Sequence, residues 1–174
     1  HTLTGVKWQK PMSPQDKLKI YQEMYDLTEY FLTTYNGTGK TFMIGNWEGD
    51  WLLHGLGKKN IEPSDEKIQA MKEWFSLRQL AIDDAKRKVA HEDVDVFFYV
   101  EVNLVKKGLQ GKKCITEHIL ADVNPDLVSY SSYESTKKYG KYEPLKEELS
   151  TLVDYMESKL QPKDNIPFSR RVFV

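Results

Sequence analysis

The sequence predicts an α/β fold in which short parallel strands alternate with helices. Four segments rich in β-branched, aromatic or other apolar residues have the composition of strands, and amphipathic segments of helical period precede each of them. Short strands separated by helices favour right-handed βαβ units, whose strands are parallel and whose helices pack over the sheet. The chain of 174 residues contains no linker long enough to divide it. Residues 1–174 are therefore predicted to form a single domain.

The predicted strands differ in strength. Residues 95–103, Asp-Val-Phe-Phe-Tyr-Val-Glu-Val-Asn, are rich in β-branched and aromatic side chains and form the clearest strand. Three shorter segments are also predicted to be strands: residues 41–45, 126–130 and 171–174.

The predicted helices have recognisable ends. Ser13-Pro14 begins the first helix and Asn36-Gly37 ends it, while Ser64, followed by two acidic residues, begins the second. The helices are predicted over residues 14–35, 65–89, 113–121 and 143–160. The third of them has the weakest helical pattern.

Charge and composition exclude several classes of function. The chain has 25 Lys+Arg against 26 Asp+Glu, and this balance provides no cationic field for a nucleic acid or an anionic membrane surface. Short lysine pairs such as Lys106-Lys107 are expected to be solvated. Cys114 is the single cysteine, which rules out an internal disulfide and leaves the compartment open. The histidines have no metal-ligand spacing, and His54 is expected at the surface; we expect no metal and no cofactor.

Polar and aromatic residues follow the predicted strands, where α/β folds bind their ligands. Aromatic rings cover the apolar faces of sugars, amides and carboxylates bind hydroxyl groups, and two carboxyl groups can cleave a glycosidic bond. The same residues can be explained by chain turns and helix caps alone. The candidate carbohydrate contacts are Asn46, Trp47, Trp51, Glu101, Asn103, Tyr130 and Tyr133.

Glu48 is the strongest catalytic candidate. It lies between Trp47 and Trp51 in a segment interrupted by glycine, which we interpret as a loop. Two large aromatic side chains can exclude water from a carboxyl group and raise its pKa towards that of a general acid. In the competing interpretation the tryptophans cover the sheet and Glu48 is solvated.

Several segments together resemble one family. Residues 44–51, 77–86, 99–105 and 127–135, taken in order, resemble a poorly characterised group of glycoside-hydrolase-like (β/α)8 barrels that is similar to the clan A retaining glycosidases. The resemblance covers about residues 15–174 and implies a partial TIM barrel running from about the fourth strand to the seventh. It also implies that Glu48 is the acid/base residue, although Trp47 separates it from Asn46, where the clan has no intervening residue.

The resemblance implies that more chain is needed. A (β/α)8 barrel typically takes about 250 residues, so residues 1–174 are expected to be a fragment of a longer chain or to be completed by another chain. The nucleophilic carboxylate is expected just beyond Val174. Within residues 1–174, a second carboxylate is available only from Glu101 or Glu134.

Three functions remain open from the sequence. The first is a glycoside-hydrolase-like domain that acts on O-glycosidic bonds with Glu48 as general acid/base. The second is a non-catalytic carbohydrate-binding or assembly module that uses the same strand ends. The third is an open doubly wound domain with an unrelated ligand.

Overall fold

A four-stranded sheet forms the centre of the protein. The computed structural model describes residues 5–55, 60–136 and 142–174. The strands lie side by side in the order in which they occur along the chain, and every pair is parallel. They are β1 (Lys40–Gly45), β2 (Val94–Val102), β3 (Leu127–Tyr130) and β4 (Val172–Phe173). This arrangement confirms the prediction of an α/β fold with a parallel sheet.

Long and short helices accompany the strands. In chain order they are α1 (Pro14–Thr34), α2 (Gly49–His54), α3 (Asp65–Lys88), α4 (Val105–Leu109), α5 (Ile115–His118), α6 (Leu120–Val123), α7 (Tyr133–Thr136) and α8 (Tyr142–Glu157). The Ser13 and Ser64 hydroxyl groups accept backbone hydrogen bonds at the start of α1 and α3, as their cap positions predict. Across the described residues, none of the helices is long and apolar enough to cross a membrane.

Two local predictions are wrong. The segment after β1 is not a loop throughout, because α2 begins at Gly49. The predicted helix over residues 113–121 is two single turns, α5 and α6, since the backbone of Ile119 leaves the helical region at φ −129°. The side chain of Ile119 is fully buried, so the interruption places an apolar residue in the core.

Helices cover one face of the sheet. The ring of Phe98 on β2 lies 6.1 Å from that of Phe75 on α3, and both side chains are fully buried. On the opposite face of the sheet, Met43 of β1 is 47% exposed and Phe173 of β4 is 37% exposed. The main core therefore lies between the sheet and the helix layer.

Asp126, just before β3, connects three elements at the amino end of the sheet. One carboxylate oxygen accepts the backbone N–H of Phe98 at 2.9 Å. The other accepts a hydrogen bond from Gln79 at 3.1 Å and lies 2.6 Å from the ammonium nitrogen of Lys163. The side chain of Asp126 is only 4% exposed, so these groups replace the water that its charge would otherwise require.

Replacing Asp126 should therefore destabilise the fold. An asparagine cannot accept all three hydrogen bonds, and it removes the closer of the two carboxylates that pair with Lys163, leaving only Asp83 at 3.8 Å. We therefore expect Asp126→Asn to lower the free energy of unfolding by about 2–4 kcal/mol. The matched control is Asp122→Asn, because Asp122 pairs with Lys72 but its side chain is 62% exposed. That change should cost less than about 1 kcal/mol. Urea unfolding measures both, and equal losses would contradict this account.

Candidate functional site

Asn46 extends the pairing of β1 and β2 beyond the last residue of β1. Its Oδ1 accepts the backbone N–H of Glu101 at 3.1 Å, and its Nδ2 donates to the backbone oxygen of Glu101 at 3.4 Å. The residue is 3% exposed. Its side chain therefore holds the chain against β2 at the point where the candidate site begins.

Glu48 has an unusual backbone conformation. Its φ of 53° and ψ of 52° place it in the left-handed region, at the N-cap of α2. In the described residues, the other non-glycine positions with positive φ are Asp or Asn, which tolerate this region better: Asp93, Asn124 and Asn165. A glutamate there costs about 1–2 kcal/mol relative to an ordinary conformation. Backbone strain of this kind clusters at functional sites.

The carboxylate of Glu101 stabilises this conformation. Its Oε1 accepts the backbone N–H of Glu48 at 3.1 Å and the side-chain amide of Asn103, also at 3.1 Å. The carboxyl group of Glu101 therefore lies directly beside the backbone of Glu48. The structure thus brings together two glutamates from the ends of neighbouring strands.

Asp50 supports this arrangement through hydrogen bonds in the protein interior. It is fully buried, and its carboxylate accepts the backbone N–H groups of Asn103 at 2.7 Å, Leu104 at 3.0 Å and Ile115 at 2.9 Å. In return, Asn103 Oδ1 accepts the backbone N–H of Asp50 at 3.2 Å. Asp50 therefore joins α2 to the end of β2 and to α5, and its role is structural.

Asp50→Asn tests the structural role of Asp50. An amide cannot accept three backbone N–H groups, so we expect the free energy of unfolding to fall by about 2–4 kcal/mol. Thermal or urea unfolding gives the value. The control is Asp164→Asn, at an exposed position, which should change stability little. A fully stable Asp50→Asn protein would show that the three hydrogen bonds contribute little.

Glu48 lines the first of two cavities beside α2. This Glu48 cavity, of about 550 Å³, lies between α2 and the segment that precedes α1. Trp47, which borders it, is 71% exposed, and burial lowers the pKa of Lys67 in its wall. The lining residues are Gly5, Val6, Lys7, Trp8, Gln9, Trp47, Glu48, Leu52, Gly55 and Lys67.

The second cavity is bordered by Trp51. This Trp51 cavity has a volume of about 410 Å³, within the range of ligand sites. Tyr133, one of its aromatic side chains, is 67% exposed. The lining residues are Trp51, Asn60, Asn103, Leu104, Lys106, Lys107, Gln110, Lys112, Ser131, Tyr133 and Glu134.

Glu134 is the carboxyl group of the Trp51 cavity. Its Oε1 accepts the backbone N–H of Lys106 and the hydroxyl of Tyr130, each at 3.0 Å. Burial raises the pKa of Glu134, and these two hydrogen bonds offset part of the rise. Tyr130 is 1% exposed, and burial raises the pKa of its phenol. Tyr130 therefore positions Glu134 and does not itself line the cavity.

The raised pKa of Glu134 predicts how a substitution responds to pH. The folded protein holds this proton more tightly than the unfolded chain, so ionisation at neutral pH costs stability. Glutamine keeps the oxygen that Lys106 and Tyr130 bind. We expect Glu134→Gln to be at least as stable as the original protein at pH 7, with its advantage shrinking as the pH falls to about 4. Urea unfolding at both pH values measures this.

The exposed Glu143 provides the control for that comparison. The difference in the free energy of unfolding between Glu143→Gln and the original protein should be nearly the same at pH 7 and at pH 4. The raised pKa of Glu134 would be contradicted if Glu134→Gln were less stable than the original protein and if this difference in the free energy of unfolding were largest at pH 7. That result would mean that the folded protein favours the ionised form of Glu134.

The structure divides the predicted site residues among three places. Trp47 and Glu48 line one cavity, Trp51, Asn103 and Tyr133 line the other, and Asn46, Glu101 and Tyr130 hold the elements that form them. Lys106 and Lys107, which line the Trp51 cavity, were expected to be solvated, and nothing in their local sequence reveals the cavity. Glu134 was predicted only as a possible second carboxylate, although its position after a strand was the available signal.

Two further residues with potentially reactive side chains, His54 and Cys114, are buried. His54 is 3% exposed, not at the surface as expected, and its Nδ1–H donates to the backbone oxygen of Ile61 at 2.7 Å. Burial raises the pKa of the Cys114 thiol to about 12, so it is not a nucleophile at neutral pH. Among the residues that the structure describes, no group of three or more His, Cys, Asp or Glu side chains is placed to hold a metal ion.

Comparison with known proteins gives no relative on which to base a function. No family model matches the chain. No curated protein and no solved structure matches it significantly either.

Proposed function

We propose that this protein is a glycoside-hydrolase-like domain that acts on O-glycosidic bonds at the carboxyl ends of its strands, with Glu48 as general acid/base. The observation that carries the proposal is the left-handed backbone of Glu48, three residues after the end of β1. A glutamate occupies this position against its conformational preference, and it borders a cavity that is also lined by the exposed Trp47. The resemblance of residues 44–51 to glycosidase barrels assigns the same role to Glu48.

The neighbouring carboxylates fit this chemistry. Glycosidases place their two carboxyl groups about 5–5.5 Å apart when they retain configuration and about 6.5–9.5 Å apart when they invert it. Glu101 Oε1 lies 3.1 Å from the backbone nitrogen of Glu48, so a carboxylate stands beside the candidate acid/base residue. Because Glu101 already accepts two hydrogen bonds, its carboxylate serves in this proposal to position Glu48 and to bind sugar hydroxyl groups.

In this proposal the nucleophilic carboxylate follows β4 and lies outside residues 1–174. β4 is parallel to β3 and pairs with it at Ser129 and Phe173. Residues that followed β4 in a longer protein would emerge at the same edge of the sheet as Glu48 and Glu101. A glutamate at that position would complete the pair of carboxyl groups that a retaining mechanism requires.

A partial (β/α)8 barrel is the architecture that we propose for the sheet. The strands follow one another without a reversal of order, whereas a doubly wound sheet reverses its strand order at a switch point. Helices cover one face, while the opposite face leaves Met43 and Phe173 partly exposed. Further strands beside β1 and β4, from the same chain or another, would close the barrel and cover that face.

Replacing Glu48 by glutamine tests its catalytic role. In the full-length protein, we expect Glu48→Gln to reduce turnover of aryl glycosides about 10²- to 10⁴-fold. The loss should be greatest for substrates with poor leaving groups, because these need protonation to depart, and smallest for dinitrophenyl glycosides. Glu62→Gln, at an exposed position nearby in sequence, is the control and should leave turnover unchanged. Unchanged turnover in Glu48→Gln would remove Glu48 from the mechanism.

Glu48→Gly separates this role from a structural one. Glycine adopts positive φ without steric cost, so this variant should fold at least as stably as the original protein and still lose turnover. A variant that loses stability and activity together would indicate that the side chain supports the fold.

A non-catalytic carbohydrate-binding module is the second candidate. The hydrogen bonds that Glu101 makes to Glu48 and Asn103 favour it, because they give that carboxylate a structural function. Sugar binding that persists in both the full-length protein and Glu48→Gln, without turnover of any glycoside in either, would select this alternative.

A further inference from the structure

We infer that the Trp51 cavity is a subsite for an anionic sugar unit, one that carries a carboxylate or sulfate group. The inference rests on the proposed function and names the class of carbohydrate that the site takes. It depends on the charge of the cavity, on its aromatic side chains and on its connection to Glu48.

The cavity concentrates positive charge. Of the described residues that line it, three are lysines, Lys106, Lys107 and Lys112, and one, Glu134, carries a carboxyl group. The chain as a whole has a net charge of −1, so this excess is local. Glu134 accepts hydrogen bonds from Lys106 and Tyr130, so its charge is partly compensated within the wall. Such a cavity favours an anion over a neutral ligand of the same shape.

The three lysines are held differently. The backbone N–H of Lys106 binds Glu134, and its ammonium group contacts the carboxylate of Glu148 and donates to the backbone oxygen of Glu134 at 3.2 Å. Lys106 is therefore partly neutralised and helps to build the wall. Lys112 is exposed, and within the described ranges no carboxylate forms an ion pair with it. Lys112 is thus the lysine best placed to meet a charged ligand.

The uncharged lining residues indicate a sugar as the carrier of the charge. The rings of Trp51 and Tyr133 offer apolar surfaces that suit the faces of a pyranose. The side chains of Asn103, Gln110 and Ser131 provide donors and acceptors for hydroxyl groups. A cavity for a simple inorganic anion would need the lysines but not the two aromatic rings.

A short hydrogen-bond path connects this cavity to the candidate catalytic residue. The Asn103 side chain lines the Trp51 cavity and donates to Glu101 Oε1 at 3.1 Å. The same oxygen accepts the backbone N–H of Glu48 at 3.1 Å. One carboxyl group therefore links the Trp51 cavity to the backbone of Glu48, so a sugar bound in that cavity would lie close to the proposed reaction site.

The test compares charged and neutral oligosaccharides on the full-length protein. Binding is measured by titration calorimetry with tetragalacturonate, its neutral methyl ester, a sulfated chondroitin tetrasaccharide and cellotetraose, at low and high salt. We expect an anionic ligand to bind more tightly than the neutral ones and to weaken at high salt. The uronate and sulfate arms distinguish which anionic group the cavity accepts.

Substitution of the other two lysines, Lys107 and Lys112, locates the effect. Lys107→Gln and Lys112→Gln should each weaken the anionic ligand about fivefold, as expected for a partly exposed ion pair, and leave neutral ligands unchanged. Lys146→Gln, an exposed lysine of α8 that does not line the cavity, is the matched control and should have no effect.

The possible results separate this inference from the proposed function. The inference is overturned if neutral sugars bind more tightly than anionic ones, or if neither lysine substitution weakens the anionic ligand. In both cases the binding of a sugar still supports the proposed function. Binding of none of the four oligosaccharides overturns the inference and counts against the proposed function as well. If turnover depends on Glu48 but charged and neutral substrates are turned over equally well, only the inference is overturned and the proposed function stands.

Discussion

A buried carboxylate, that of Asp50, holds together the carboxyl edge of the sheet. Its hydrogen bonds to Asn103, Leu104 and Ile115 fix α2 and α5 against the end of β2. Gly49 permits the close approach, since any side chain at that position would meet the backbone oxygen of Glu101. The strained backbone of Glu48 persists because these contacts leave α2 no other position. The geometry of both cavities thus depends on a residue that takes no part in binding.

The two cavities result from the way in which α2 is placed. Positions 48, 52 and 55 face the segment before α1, whereas Trp51 faces α4 and the segment after β3. This six-residue helix forms a wall between the cavities, and the hydrogen bonds of Glu101 to Glu48 and Asn103 link residues on its two sides. The proposed reaction site and the proposed anionic subsite are therefore parts of one polar network.

The sequence was sufficient for the elements that have strong local signals. β2 was predicted within one residue of its ends because residues 94–102 are almost continuously β-branched or aromatic, and the Ser64 cap located α3. The helix α2 was missed because six residues contain too few turns for a periodic pattern. The conformation of Glu48 was not predictable, since glutamate has no preference for positive φ. The Trp51 cavity combines side chains from residues 51 to 134, which only the folded sheet brings together.

The distribution of tryptophans gives the protein an internal optical probe. Trp74 is fully buried and stacks on the 5% exposed Trp8 at 5.1 Å, so water-soluble quenchers have little access to either ring. Trp47 is largely exposed at the Glu48 cavity, and Trp51 is half-buried at the other. Quenchable fluorescence therefore comes mainly from the rings beside the two cavities. A ligand that covered either of these rings would change this fluorescence, so binding at the two proposed sites could be followed in the unlabelled protein without a coupled assay.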